Sequence, residues 1–203
     1  MTVLIVNYGM GNLASARRSF EECGATVVVS DDPAAARTAS RIVIPGVGAF
    51  GEAMHRLHTG GWVEAIREAV GDGVPVLGIC LGMQLLAEEG HEGGRVEGLG
   101  LVGARIERMA AQKPSERIPH VGWNEVYPRP DAKLFSDIAP GSDFFFVHSY
   151  HLVPRDRSAV LATTPYCGEI VSAVQQGQVM GVQFHPEKSS RAGFQLIRNF
   201  LAN

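Results

Sequence analysis

Apolar and polar positions alternate with more than one period along this chain, and the changes of period mark its elements. Thr2–Val6 is a continuous apolar run, as are residues 42–44 and residues 74–80. Such runs suit strands buried on both faces. Residues 26–29 are β-branched and read as another strand. Between them the spacing turns helical. Leu13, Ala16 and Phe20 recur within residues 13–23, which Gly24 closes. Asp31-Asp32-Pro33 caps a short alanine-rich helix. Met54 and Leu57, and then residues 62–70, continue the helical pattern, and residues 81–89 read as one further helix. Strands and helices in alternation predict a mostly parallel central α/β sheet flanked by helices.

Beyond Gly90 the texture changes. Residues 90–100 are glycine-rich and read as a loop. Strand-like runs then follow one another at residues 101–106, 122–126, 144–147, 159–163, 170–174 and 179–184, with turns between them. Residues 109–119 and 128–143 carry Pro, Gly and charges and read as exposed loops. The C-terminal half should therefore add antiparallel strands to the parallel core. Residues 194–201 form a final amphipathic helix. There is no internal repeat, and residues 1–203 are expected to form a single domain.

The stretch from Val74 to Gln84 joins the most apolar strand to the helix after it, and Cys80 falls at the junction. Gly78-Ile79-Cys80-Leu81-Gly82 has the spacing of the strand–turn–helix elbow that presents a nucleophile in hydrolases, with sulfur replacing oxygen. The turn is tight, so side chains at positions 78 and 82 would collide with neighbours. A thiol among free N–H groups at a helix start also favours its reactive thiolate form. Most free cysteines are only small buried hydrophobes; the Gly-x-Cys-x-Gly frame sets Cys80 apart from Cys23 and Cys167.

Bulk properties remove several function classes. The net charge of −3 gives no electrostatic case for nucleic acid or an anionic membrane. No apolar run approaches a bilayer-spanning length, and the N-terminal run lacks the basic segment of a signal peptide. Three widely spaced cysteines form neither a disulfide framework nor a metal site, which fits a cytoplasmic location. No metal and no cofactor are expected.

Two glycine-rich turns imitate nucleotide loops. Gly9-Met10-Gly11-Asn12-Leu13-Ala14 fits G-x-G-x-x-A, with Asp31 and Asp32 near the position of a ribose-binding acid, and residues 46–51 fit G-x-G-x-x-G. Two matches in one small unit point instead to tight backbone turns near a shared site. Among the histidines, His55 and His58 lie on a predicted helix without a third ligand nearby, and His91 is uninformative. His120, His148 and His151 flank aromatic strands, where packing is the default. His185 differs. It ends the last strand and precedes Pro186-Glu187. In extended backbone His185 and Glu187 project from one face, and Pro186 stiffens the pair. A base oriented by a carboxylate completes a Cys-His-acid triad.

These residues carry a resemblance. Gly78-Ile79-Cys80-Leu81-Gly82-Met83-Gln84, followed about a hundred residues on by His185-Pro186-Glu187, resembles the triad-type (class I) glutamine amidotransferases over essentially the whole chain. Residues 7–13, 119–124 and 146–150 are similar to the glutaminase subunits of imidazole glycerol phosphate synthase, an enzyme of histidine biosynthesis. The resemblance implies that Cys80, His185 and Glu187 hydrolyse L-glutamine through a glutamyl thioester. It puts oxyanion donors at Val47, Gly48 and Leu81, and substrate contacts at Gln84, Ser149 and Tyr150. It also implies a heterodimer with a (βα)8-barrel cyclase, which would use the ammonia to make imidazole glycerol phosphate and aminoimidazole carboxamide ribotide. Gly11, Asn12, His120, Trp123 and Lys188 are the expected interface. The competing readings are a glutaminase subunit of another ammonia-using synthase, a stand-alone thiol hydrolase, and a non-enzymatic nucleotide-binding module.

Overall fold

The computed structural model describes residues 2–203. In chain order the elements are β1 (Thr2–Val6), α1 (Leu13–Glu22), β2 (Thr26–Ser30), β3 (Arg41–Gly46), α2 (Phe50–Thr59), α3 (Trp62–Gly71), β4 (Val76–Cys80), α4 (Leu81–Leu85), β5 (Ala87–Gly90), β6 (Val96–Glu97), β7 (Val102–Arg108), β8 (His120–Pro128), β9 (Ser142–His148), β10 (Tyr150–Pro154), β11 (Val160–Thr164), β12 (Ile170–Gln176), β13 (Val179–Val182) and α5 (Ser190–Ala202).

Nine strands form one sheet in the order β2-β1-β3-β4-β13-β12-β11-β8-β9. The first five run parallel, and β12, β11, β8 and β9 extend the sheet in antiparallel fashion. The predicted α/β class and its antiparallel extension are both present. Alternate residues of the parallel strands enter opposite cores. Leu4, Val6, Ile42 and Ile44 pack with Phe50, Leu57, Trp62 and Ile66 of α2 and α3. Val3, Ile5 and Val43 pack with Phe20 of α1 and with Leu196 and Phe200 of α5. Burial on both faces explains why these strands read as unbroken apolar runs.

Two sequence expectations fail here for one reason. Residues 81–89 do not form one helix: α4 ends at Leu85, and β5 begins at Ala87. The returning chain claims the carbonyls that a longer helix would use. Leu99 N–H donates to Leu85 O at 2.8 Å, Leu101 N–H to Leu86 O at 2.9 Å, and Gly100 N–H to Ala87 O at 3.0 Å. Consequently residues 90–100 contain a short strand, β6, and a second sheet of order β10-β7-β5-β6 forms beside the first. The alanine-rich helix after Asp32 is a single 3₁₀ segment, Pro33–Thr38, capped by the Asp32 carboxylate on Ala34 N–H at 2.9 Å. The final helix starts at Ser190, four residues ahead of its apolar pattern.

The carboxyl ends of β3, β4 and β13 meet. Gly46 lies opposite Cys80, and Val182 lies opposite Ile79. The sheet reverses its winding between β1 and β3, so the turns after both strands open on the same edge, where α/β proteins place their ligand sites. Both glycine-rich turns are thus accounted for by the geometry of the elbow's surroundings.

Candidate active site

Cys80 occupies a strained elbow. Its φ is 56° and ψ is −110°, a conformation that costs a non-glycine residue roughly 1–3 kcal/mol. The turn is closed by its glycines. A Cβ at Gly82 would lie 1.7 Å from Ile44 O, and one at Gly78 would lie 2.5 Å from Gly82 O. The helix that follows has only five residues, so its dipole is small. The charge environment of the thiol comes from side chains instead.

His185 and Glu187 meet as expected, by a different backbone route. His185 is extended (φ −101°, ψ 96°), as the following proline requires. Pro186–Lys188, however, is a 3₁₀ turn and not a continued strand. This turn, rather than a shared strand face, folds Glu187 back to His185, Oε1 to Nδ1 at 2.7 Å, with both side chains about 95% buried. Two backbone ties hold His185 in place: its N–H donates to Phe145 O at 2.9 Å, and the Ser189 hydroxyl donates to His185 O. The other ring nitrogen, Nε2, is buried and has no partner of ordinary hydrogen-bond geometry. It faces the Cys80 sulfur. Burial opposes an imidazolium here, but Cys80 and Glu187 outweigh it and raise the His185 pKa to about 9.

The elbow opens into a cleft of about 290 Å³ lined by Val47, Gly48, Cys80, Leu81, Gln84, Glu92, Pro119, Val147, His148, Ser149 and Tyr150. Every residue expected as an oxyanion donor or substrate contact is among them. The volume is at the small end of ligand sites and suits an amino acid better than a dinucleotide. A larger cavity of about 800 Å³ lies between α5 and the loop before β9, lined by Glu22, Asp137, Arg191 and Arg198 among others. It gathers none of the predicted chemistry. His55 and His58 border a separate depression with Arg67. Among the described residues, no group of three or more His, Cys, Asp or Glu side chains is placed to hold a metal ion.

Gln84 is buried, and both of its amide protons are used: Nε2 donates to Tyr150 O and to Gln183 Oε1, each at 3.0 Å. It can offer a ligand only its oxygen. Glu92 and Gln183 were not legible as site residues. Glu92 lay in a stretch read as plain loop; its carboxylate borders the cleft and accepts from Phe50 N–H at 2.8 Å. Gln183 sat inside an apolar strand pattern. A glutamine there, two residues ahead of His185, is a signal in itself, since a buried amide needs partners.

The expected interface residues divide. Trp123 is 55% exposed and Val121 60% exposed, and Trp123 packs edge-on against Phe145 at 5.9 Å. Lys188 Nζ lies over the same Phe145 ring at 5.4 Å. Asn12 is exposed, but its side chain caps α1, accepting from Ser15 N–H at 3.2 Å. Gly11 has a left-handed φ of 151° and packs against Pro45. His120 does not belong to this surface. It is 3% exposed and stacks between Phe146 and Tyr166, with centroids at 4.7 and 3.8 Å. It also joins a chain of hydrogen bonds, Nδ1 to His148 Nε2 at 3.1 Å and Nε2 to Asn124 Nδ2 at 3.2 Å. His148 Nδ1 donates to Tyr150 O at 2.8 Å. Phe146 and Tyr166 draw His120 inward, so the packing role that its aromatic surroundings suggest holds and the interface role does not.

Comparison with known proteins agrees with this geometry. The class I glutamine amidotransferase family matches residues 4–203. The imidazole glycerol phosphate synthase subunit HisH of Moorella thermoacetica is 48% identical over 199 residues, 98% of this chain and 93% of that one. The HisH subunit of Symbiobacterium thermophilum is 46% identical, over 98% of this chain and 92% of its own. Among solved structures, PurLQS from Thermotoga maritima superposes with a TM-score of 0.75 at 19% identity, covering 99% of this chain and 97% of that chain. A glutamine amidotransferase from Thermotoga maritima superposes with a TM-score of 0.66 at 22% identity, covering 100% of this chain and 83% of that chain. An elbow cysteine backed by a His–Glu pair, on this sheet and with these relatives, leads to one conclusion: the chain belongs to the class I glutamine amidotransferase family and groups by sequence with the HisH subunits of imidazole glycerol phosphate synthase.

Proposed function

We propose that the cleft hydrolyses L-glutamine to glutamate and ammonia through the triad Cys80, His185 and Glu187. The observation that carries this reading is the His185 imidazole, which holds Glu187 at 2.7 Å on one nitrogen and faces the Cys80 sulfur with the other. The Cys80 thiolate attacks the side-chain carboxamide carbon. His185 gives its Nε2 proton to the departing nitrogen, and ammonia leaves a glutamyl thioester. Water then attacks the thioester carbon, His185 takes its proton, and glutamate departs as the thiolate returns. Glu187 holds the ring in one tautomer and balances the imidazolium. Leu81 N–H and a donor from the Val47–Gly48 turn are the candidates to bind the oxyanion, a contribution of about 3 kcal/mol for each donor. The Gln84 oxygen and the Glu92 carboxylate suit the substrate ammonium, with Ser149 and Tyr150 closing the wall. No step calls for a metal or cofactor.

The chain has no acceptor for ammonia among the features described, so a partner consumes it. The HisH relatives support a cyclase subunit of imidazole glycerol phosphate synthase as that partner. The exposed apolar face of Val121, Trp123 and Val147, with Lys188 beside it, lies next to the cleft and supplies a docking surface. Phe145, edge-on to Trp123, also accepts the backbone N–H of His185, so this face and His185 share contacts with one strand, β9. Glutamate release is to be measured with the chain alone, with the cyclase, and with the cyclase and its nucleotide substrate. Cys80→Ala and His185→Ala should each reduce turnover at least about a thousandfold in all three conditions. Near-normal turnover in either variant removes the triad reading. A sizing column showing no complex removes the partner.

A further inference from the structure

We propose that Gln183 is the hydrogen-bond donor that keeps Cys80 in its thiolate form and aims the sulfur into the cleft. This rests on the triad reading of Cys80 and His185. Gln183 is completely buried, and its amide nitrogen lies 3.9 Å from Cys80 Sγ, within reach of a hydrogen bond to sulfur.

Which end of the amide faces the sulfur follows from its neighbours. Tyr150 O is a backbone carbonyl and can only accept. It receives His148 Nδ1–H at 2.8 Å, and the end of Gln84 that lies 3.0 Å from it must therefore be the nitrogen. That same nitrogen lies 3.0 Å from one end of the Gln183 amide, which must then be the oxygen. The NH₂ group is what remains to face Cys80. The direction does not depend on how an amide happened to be oriented; reversing either one would set acceptor against acceptor or donor against donor.

An NH₂ group only donates, so it stabilises a negative sulfur and offers nothing to the hydrogen of a thiol. The group that would favour the thiol is Val147 O, which also lies 3.9 Å from Sγ and can only accept. The Gln183 donor opposes Val147 O and favours the charged sulfur, with the proton held on His185 Nε2. On that side of the sulfur, against the effect of burial, Cys80 and Glu187 together raise the His185 pKa to about 9. The remaining titratable neighbours do not compete. Tyr8 stays neutral because burial and the Cys80 charge raise its phenol. His148 stays neutral because burial lowers it to about 3. Gln183 is thus a second support for the nucleophile, anchored at Tyr150 O, whereas the His185–Glu187 pair is anchored at Phe145 O.

The test is the rate of Cys80 alkylation by iodoacetamide against pH in the full chain, followed at the Cys80 peptide by mass spectrometry. Variants are checked for folding by near-ultraviolet circular dichroism. Gln183→Met keeps the length and removes the donor. Its alkylation profile should move to higher pH, with the rate at a fixed pH on the rising limb reduced about tenfold. Gln84→Met leaves Gln183 in place without its orienting donor, and should shift the profile the same way by less. The double variant should shift no further than Gln183→Met alone, because Gln84 acts on the sulfur only through Gln183. Glutamine turnover should fall in kcat with KM unchanged for Gln183→Met. An unchanged alkylation profile in either folded single variant overturns the proposal, as does a double variant whose shift is the sum of the two. His185→Ala separates this from failure of the triad. If it too leaves the profile unchanged, the triad reading is wrong; if it alone shifts the profile, the triad stands and Gln183 has no such role.

Discussion

His120 and His148 show how a single residue's surroundings set its chemistry. Both are buried, and burial lowers their pKa values to about 4 and about 3. In the unfolded chain each takes up a proton near pH 6.5. Between that pH and their folded values the unfolded state binds more protons, so stability falls as pH falls. His185 has the opposite sign: its folded value is raised to about 9, so its contribution is complete below about pH 6.5 and is lost as pH rises through about 9. It adds no slope on the acid side, where both states carry its proton. The thermal midpoint should therefore drop between about pH 7 and about pH 5, and His120→Phe should flatten that drop while keeping the stack on Phe146 and Tyr166. An equal slope in wild type and variant counts against this assignment. The sequence supplied these residues and their aromatic neighbours. It did not supply the direction of the hydrogen-bond chain, because that depends on which groups meet across β8 and β9.

At the scale of elements, the elbow is set by contacts on both sides of β4. Gly82 packs so closely on β3 that any side chain would strike the Ile44 carbonyl, and backbone cannot move aside as a flexible side chain can. Gly82→Ala should destabilise the fold by about 3 kcal/mol or more, measured by urea denaturation, and should remove glutaminase activity even where the protein still folds. A variant with normal stability and turnover would mean the elbow is looser than this geometry. The elbow was legible because its glycines, its cysteine and the apolar strand before it are local. The end of α4 was not. Residues 86–89 have helical character, but the carbonyls of Leu85, Leu86 and Ala87 are taken by the chain returning at residues 99–101. Pro186–Lys188 likewise turns instead of continuing the strand, closed by Lys188 N–H on His185 O at 3.1 Å and Ser189 N–H on Pro186 O at 3.0 Å.

For the molecule as a whole, the Cys80 cleft and the exposed aromatic face belong to one continuous edge. β9 carries Phe145 and Val147. Phe145 touches Trp123 and Lys188 at the surface and holds His185 N–H with its carbonyl, while Val147 borders both the cleft and the surface. A half-exposed tryptophan flanked by valines and a lysine has the composition of an interface anchor. Trp123→Ala should weaken binding to the cyclase by about 2 kcal/mol, roughly thirtyfold in Kd by calorimetry, with basal glutamine hydrolysis by the free chain little changed. Unchanged affinity would move the interface elsewhere.

The amino-acid sequence by itself determined the α/β class, the parallel core, the Gly-x-Cys-x-Gly elbow and the His185–Glu187 pair. Each of these is written in a short segment, as a run of apolar residues or a fixed spacing of glycine, cysteine, histidine and glutamate. Tertiary structure decided what lies between distant segments. It set the second sheet, the choice between packing and interface for His120, the carboxylate of Glu92 at the cleft and the amide of Gln183 against the sulfur. A hydrogen bond between residues a hundred positions apart leaves no local period to read, and a buried polar group declares its role only when the partners that satisfy it have been brought together.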